Sequence, residues 1–266
     1  MTILQRRHFL FAFFVLFASC APTKETGEKK EQSVNHHGQL TATFKILSVN
    51  CGHSLKNRSD VKRFAQWLKS EGADIVALQQ IERPVEGAQT FDAVAELAKA
   101  ADMNQFFGTA RYWEGFNSGN ALFSTYPIQQ TDVHSLPVGK GKVRRSLSYG
   151  IVDVGLKSVG IASTELDEDS RIERISQAEE ISSLAQTLAD YPFIVCGGFY
   201  EGETGKVSLK MMERFNEANS LNEATANFSQ RVYVRKDSLL RPISIDKVRQ
   251  KEKSLEGVLV IFEAKQ

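Results

Sequence analysis

The side chains able to do chemistry fall at the ends of short apolar runs. Asn50 closes Phe44–Val49, and Gln79 and Gln80 close Asp74–Leu78. Asn120 sits near the start of Gly119–Ser124, and Glu165 follows Val159–Thr164. Gly198 and Tyr200 come just after Phe193–Cys196, Asp246 lies within Ile243–Val248, and Glu256 directly precedes Gly257–Phe262. A hard cation such as Mg²⁺ usually relies on one or two carboxylates. Here the neutral amides outnumber the acids, and Gly198 offers no side chain at all. Two histidines, His53 and His134, belong to the folded part. His53 stands three residues beyond Asn50, within reach of any cleft there, or is an exposed loop residue. His134 reads as part of a strand edge before Leu136-Pro137. Cys51 and Cys196 each close a strand. In an oxidising compartment they can pair as a disulfide across the same cleft; the alternative is two buried, inert thiols.

These residues need strands to hold them. Phe44–Val49, Asp74–Leu78, Gly119–Ser124 and Phe193–Cys196 are short β-rich runs stopped by Gly, Asn or Pro. Gly155-Leu156-Lys157-Ser158 reads as a turn between Ser146–Val154 and Val159–Thr164. Ser59 is a candidate helix cap, with Phe64, Trp67 and Leu68 as the apolar face behind it. Phe91–Ala101 and Arg171–Leu188 supply two more helices. Helices mixed with paired strands predict an α/β sandwich of two sheets with helices outside.

Composition limits the function. Hydrophobic residues make up 42% and charged residues 24%, so a packed core is expected. Net charge is +1, and two of the cations, Arg6 and Arg7, precede the domain. No basic stretch exists to neutralise several phosphates on one face, so nucleic acid is not an expected partner. Glu168, Asp169, Glu201 and Glu203 would make the rim of a cleft acidic.

The N-terminus carries a targeting signal. Arg6-Arg7 precede an apolar run, Phe9–Phe17, that ends in Ala18-Ser19-Cys20. Such a run is too short to span a bilayer and reads as a secretory signal over residues 1–19. Cys20 at the cleavage point resembles the lipobox cysteine of bacterial lipoproteins; the alternative is secretion with Cys20 unmodified. Ala21 in second place is not the Asp that often retains such proteins at the inner membrane, so an outer-membrane anchor is expected. Acyl chains bind at about 0.8 kcal/mol per buried methylene. Residues 20–40 hold the anchor and a polar tether that includes His36 and His37; residues 41–266 form the domain.

The order of these landmarks resembles the endonuclease/exonuclease/phosphatase superfamily, the deoxyribonuclease I-like proteins. The resemblance rests on Asn50, on Asp74-Ile75-Val76-Ala77-Leu78-Gln79-Gln80, and on Gly119-Asn120-Ala121-Leu122-Phe123-Ser124-Thr125-Tyr126-Pro127-Ile128. Arg144 or Arg145, Ser163-Thr164-Glu165-Leu166, Arg174 with Gln177, and Gly197-Gly198-Phe199-Tyr200 continue it. Ser244-Ile245-Asp246-Lys247-Val248 and Ser254-Leu255-Glu256 complete it. The resemblance implies a four-layer α/β/β/α sandwich. In active relatives it implies Mg²⁺, held mainly by a Glu where this chain has Gln80. It implies a phosphate-binding His where Glu165 stands, and a Gly-Asp-Phe-Asn where Gly198 and Tyr200 replace the Asp and Asn. It also implies a general-base His where Glu256 follows Leu255. By the same resemblance Asn50 and Asp246 are retained.

General acid–base help contributes roughly 10²–10⁴-fold and an oxyanion donor roughly 10²–10³-fold. Losing metal, base and donors together implies a domain that binds rather than hydrolyses, with no cofactor, and with an unidentified protein or small-molecule partner besides the membrane. The alternative reading is a divergent metal-dependent phosphodiesterase, phosphatase or nuclease.

Overall fold

A computed structural model describes residues 33–34, 40–87, 90–236 and 238–265. Residues 1–19, expected to be a signal segment, and Cys20, His36 and His37 lie outside the described residues. The elements run β1 (Ser33–Val34), β2 (Leu40–Asn50), α1 (Arg58–Glu71), β3 (Ile75–Pro84), α2 (Ala93–Ala101), β4 (Asn104–Trp113), β5 (Phe116–Ser124), β6 (Ile128–Ser135) and β7 (Ser146–Asp153). There follow β8 (Ser158–Glu165), α3 (Arg171–Thr187), β9 (Phe193–Gly198), α4 (Lys206–Met211), β10 (Phe215–Glu217), α5 (Glu223–Ala226), β11 (Gln230–Arg235), β12 (Leu240–Gln250) and β13 (Leu255–Lys265).

Two parallel pairs set the frame. β2 runs through α1 into β3, which lies parallel to it with Asn50 opposite Gln79. β8 runs through α3 into β9 in the same way, with Glu165 opposite Gly198. Parallel neighbours need such a crossover, and its helix must cover the sheet it leaves. Antiparallel strands extend each pair. One sheet has the order β12-β13-β2-β3-β5-β4, with β1 on β2; the other is β10-β11-β9-β8-β7-β6.

Period-2 alternation then divides the apolar residues between layers. Phe44, Ile46, Ile75, Ala77, Ile161, Ile194, Cys196, Val232, Val258 and Val260 fill the space between the sheets. Leu47, Val49, Val76 and Leu78 point to the other side and pack on Phe64, Leu68, Val94 and Leu97 of α1 and α2. Leu147, Phe193, Val195 and Tyr233 do the same with Ala178, Ile181 and Ala185 of α3. The result is the four-layer α/β/β/α sandwich. Each fully buried aliphatic or Phe contributes about 1.5–3 kcal/mol, so three such clusters make this arrangement the only one in which both sheet faces are dry.

Two expectations change. Ser59 lies inside α1; the cap is Asn57, whose side chain accepts from Asp60 N. Cys51 and Cys196 are both free and buried, and they do not approach each other across the cleft. Cys51 belongs to the cluster under α1 and α2, whereas Cys196 lies between the sheets. Strand alternation put the two thiols on opposite faces of the first sheet.

Candidate functional site

The parallel pairs bring four chain positions to one edge of the sandwich. Asn50, Gln80, Glu165 and Gly198 stand at or beside the C-terminal ends of the inner stretches of β2, β3, β8 and β9. Open α/β folds bind ligands at such ends. Gln80 reaches this edge because the β3–β5 register slips between Leu78 and Ile81, which turns its backbone to φ 53°. His53 and Tyr200 also have φ of 58° and 53°. Left-handed backbone costs a residue with a side chain roughly 1–2 kcal/mol, and such strain tends to cluster at functional sites.

The centre of the edge is filled by a carboxylate. Asn50 Nδ2 donates to Glu165 Oε1 at 2.8 Å, and the Tyr200 hydroxyl donates to the same oxygen. Asn50 is itself oriented, because its Oδ1 accepts from Gly52 N at 2.8 Å. Glu165 is 2% exposed. Burial pushes its carboxyl up to about 7, against Tyr200, Arg145 and Asn50, which favour the charged form. Burial and the facing carboxylate push the Tyr200 phenol above its ordinary range. Glu165 therefore holds its proton more tightly than an ordinary glutamate, and its carboxyl is fixed by Asn50 and Tyr200. It is turned inward and held.

Gly198 makes the room. A Cβ built there would lie 2.5 Å from Glu165 Oε1, closer than any real side chain tolerates. Below the cluster a buried polar chain ties the sheets together. Ser48 Oγ donates to Gln230 Oε1 at 3.1 Å, and Gln79 Nε2 donates to Ser163 Oγ at 3.0 Å and towards Ser48 Oγ at 3.4 Å. Gln79 and Ser163 stand in the landmark runs and Ser48 and Gln230 do not, and the sequence gives no signal of their meeting.

Beside Glu165 a cleft of about 290 Å³ remains open. Arg111, Arg144, Arg145, Ser146, Gln80, Glu168 and Asp169 line it. Asn120 lines it too, with its Nδ2 donating to Ser146 O at 3.0 Å. Gln80 Nε2 donates to Glu168 Oε1 at 2.6 Å. His53 also lines the cleft, with Nδ1 3.2 Å from Glu82 Oε1; burial lowers its pKa while Glu82 raises it. His134 is elsewhere, on β6, with Nε2 2.7 Å from Glu180 Oε1.

Buried polar residues of α3 hold the loops around this cleft. Arg174 Nη1 donates to Asp167 O and Glu168 O at 2.8 and 2.9 Å. Gln177 accepts from Asp167 N at 2.9 Å and donates to Pro137 O at 3.2 Å. The Arg-x-x-Gln spacing is thus a device for fixing loops. Glu201, on the segment after Tyr200, meets Arg171 at 2.6 Å and accepts from Val207 N at 3.0 Å.

Two expected positions do not join the set. Asp246 is exposed on β12 and pairs with Leu259. Leu259 packs toward α1 and α2, so Asp246 points away from the inter-sheet side; a one-residue change of phase reverses a strand's faces. Glu256 lies one residue before Gly257, which pairs with Val49. Its carboxylate is held by Lys247 Nζ at 2.9 Å and does not line the cleft.

The sequence profile described as the Endonuclease/Exonuclease/phosphatase family matches residues 47–218. The chain belongs to that family. Solved structures of the same fold agree. An endonuclease/exonuclease/phosphatase from Beutenbergia cavernae superposes with a TM-score of 0.67 at 18% identity, covering 84% of this chain and 72% of that one. A family protein from Bacteroides thetaiotaomicron gives 0.66 at 12%, covering 84% and 98%. A mannosyl-6-phosphatase from the same species gives 0.59 at 11%, covering 84% and 98%. At these identities the likeness establishes the fold alone. No curated protein matches the chain.

Within the family frame the magnesium site can be tested on its donors. At position 80 an amide spends its Nε2 on Glu168. At position 198 there is no side chain. The one acid at the centre, Glu165, accepts from Asn50 and Tyr200 and is pushed toward the neutral form. Among the described residues no group of three or more His, Cys, Asp or Glu is placed to hold a metal ion. Mg²⁺ needs charged oxygen to repay its dehydration, and this donor set does not fit it.

Proposed function

We propose that this family member is a lipid-anchored envelope protein that does not hydrolyse phosphoesters and works by binding a ligand in the cleft beside Glu165. One observation carries the non-hydrolytic reading. The space that a metal-directed acid at 198 would use is occupied by Glu165, which Asn50 and Tyr200 hold in place. In that arrangement Asn50 serves a protein carboxylate instead of a substrate. The anchor reading rests on Arg6-Arg7, the apolar run Phe9–Phe17 and Cys20.

The test is hydrolysis of a generic phosphodiester and a phosphomonoester by the purified chain with Mg²⁺ or Mn²⁺. No metal-dependent product above the protein-free control is expected. Hydrolysis that disappears in Asn50→Ala would overturn the reading.

A second reading, a divergent hydrolase, has one observation in its favour: His53 lines the cleft and is backed by Glu82 at 3.2 Å. A carboxylate behind an imidazole is a common way to orient a general base. Activity lost in His53→Ala but retained in Asn50→Ala would select that reading.

A further inference from the structure

We infer that the cleft takes a small zwitterion, a molecule with an anionic group and an ammonium group a few bonds apart. The inference rests on the binding reading above and names the ligand class for the same cleft.

Its lining carries both signs of charge. β4 and the segment entering β7 supply Arg111, Arg144 and Arg145, while the β8–α3 loop supplies Glu168 and Asp169. Arg145 Nη2 stands 3.7 Å from Glu168 Oε1, longer than the 2.7–2.9 Å bond that a guanidinium and a carboxylate form when they satisfy each other, so this ion pair is loose. Unit charges a few ångströms apart near a protein surface interact several times more strongly than in bulk water. A simple anion would gain from the arginines and lose a similar amount to Glu168 and Asp169. A simple cation would meet the reverse. Only a ligand carrying both signs gains from both sets of groups.

A second observation points to an anionic oxygen near the arginines. Arg145 Nε and Ser146 Oγ are buried without a hydrogen-bond partner in the chain, and Ser146 is 1% exposed. A buried polar group left unpaired is destabilising. Both atoms belong to residues that line the cleft, and an anionic group there supplies the acceptor that each lacks. Elsewhere in the lining, Gln80 and Asn120 have committed their amide nitrogens to Glu168 and Ser146 O. Their amide oxygens accept no hydrogen bond among the described residues, which suits an ammonium donor. The volume of about 290 Å³ sits at the small end of sites that enclose small molecules.

The test is calorimetric titration of the mature chain in EDTA with phosphoethanolamine, and with inorganic phosphate and ethanolamine as single-charge probes. Phosphoethanolamine is expected to bind at least tenfold more tightly than either. Asp169→Asn should bring its affinity toward that of phosphate, and Arg144→Ala should weaken it about tenfold. Both side chains are exposed, so an unchanged unfolding midpoint will show that the fold persists. Phosphate binding as tightly as phosphoethanolamine, or no binding by either, overturns the inference. Repeating the titration with Mg²⁺ separates the two readings: phosphate released from phosphoethanolamine defeats the non-hydrolytic proposal, whichever way the affinities fall.

Discussion

The carboxylate of Glu165 stands where a side chain on Gly198 would have to be, 2.5 and 2.6 Å from its Cβ position for the two oxygens. The two residues are therefore complementary: a side chain at 198 requires the Glu165 carboxylate to move. Gly198→Asp is expected to destabilise the chain by about 2 kcal/mol or more, through overpacking and a second buried acid. The double variant Gly198→Asp/Glu165→Ala should recover most of that loss. Urea unfolding of the four proteins gives the coupling, expected at about 1–3 kcal/mol. Simple additivity would refute the complementarity.

Glu165 also makes stability depend on pH. The folded chain keeps its proton up to about 7, against 4.5 for an unperturbed glutamate. Between those values the folded state binds one more proton than the unfolded state, so stability falls as pH rises. The contribution is whole below about 4.5, is lost by about 7, and amounts to something on the order of 3 kcal/mol. Glu165→Gln keeps an acceptor for Asn50 and Tyr200 but has no proton to lose. The expected result is a flatter urea midpoint from pH 4.5 to 7 and a more stable variant at pH 8. An unchanged pH profile would show that the carboxyl does not titrate in this range.

Burial governs the thiols as well. It pushes Cys51 up to about 12 and Cys196 above its ordinary range, and thiolate is the reactive form. In a chain carrying Cys20→Ser, a thiol reagent should find no reactive group in the native state and two after unfolding without reductant. Finding none after unfolding would mean that the pair is oxidised.

The anchor proposal has its own measurement. Cys20→Ser is expected to move the chain from the detergent-rich to the aqueous phase on phase separation, because a single signal segment without acyl chains holds a protein only until it is cleaved. Unchanged partitioning would remove lipidation from the account.

The fold was legible because its core strands are apolar and end in abrupt breaks. Ser146–Val154 and Val159–Thr164 with their turn became β7 and β8 almost residue for residue. β11 was not legible. Its Gln230, Arg231 and Arg235 are polar but buried, Arg231 pairing with Glu217 at 2.7 Å inside the protein. A strand that hides charge in this way carries no alternating pattern. β4 escaped for the opposite reason, since it is an edge strand with Tyr112 and Trp113 exposed. At the site, Asn50, Gln80, Asn120 and Glu165 were legible as strand ends. The phase of Asp246 was not, because only its pairing with Leu259 decides the face. Nor was the inward turn of Glu165, which depends on a vacant neighbour on another strand.

Arg111 lies over the Trp113 ring at 5.3 Å while also lining the cleft. The chain has two tryptophans, and the other, Trp67, is buried in α1 against Phe64. Their emission should separate on wavelength, one band tracking whether the protein is folded and the other shifting when a guest draws Arg111 away. The molecule thus carries its own optical gauge of occupancy, readable without a label and without knowing in advance what the guest is.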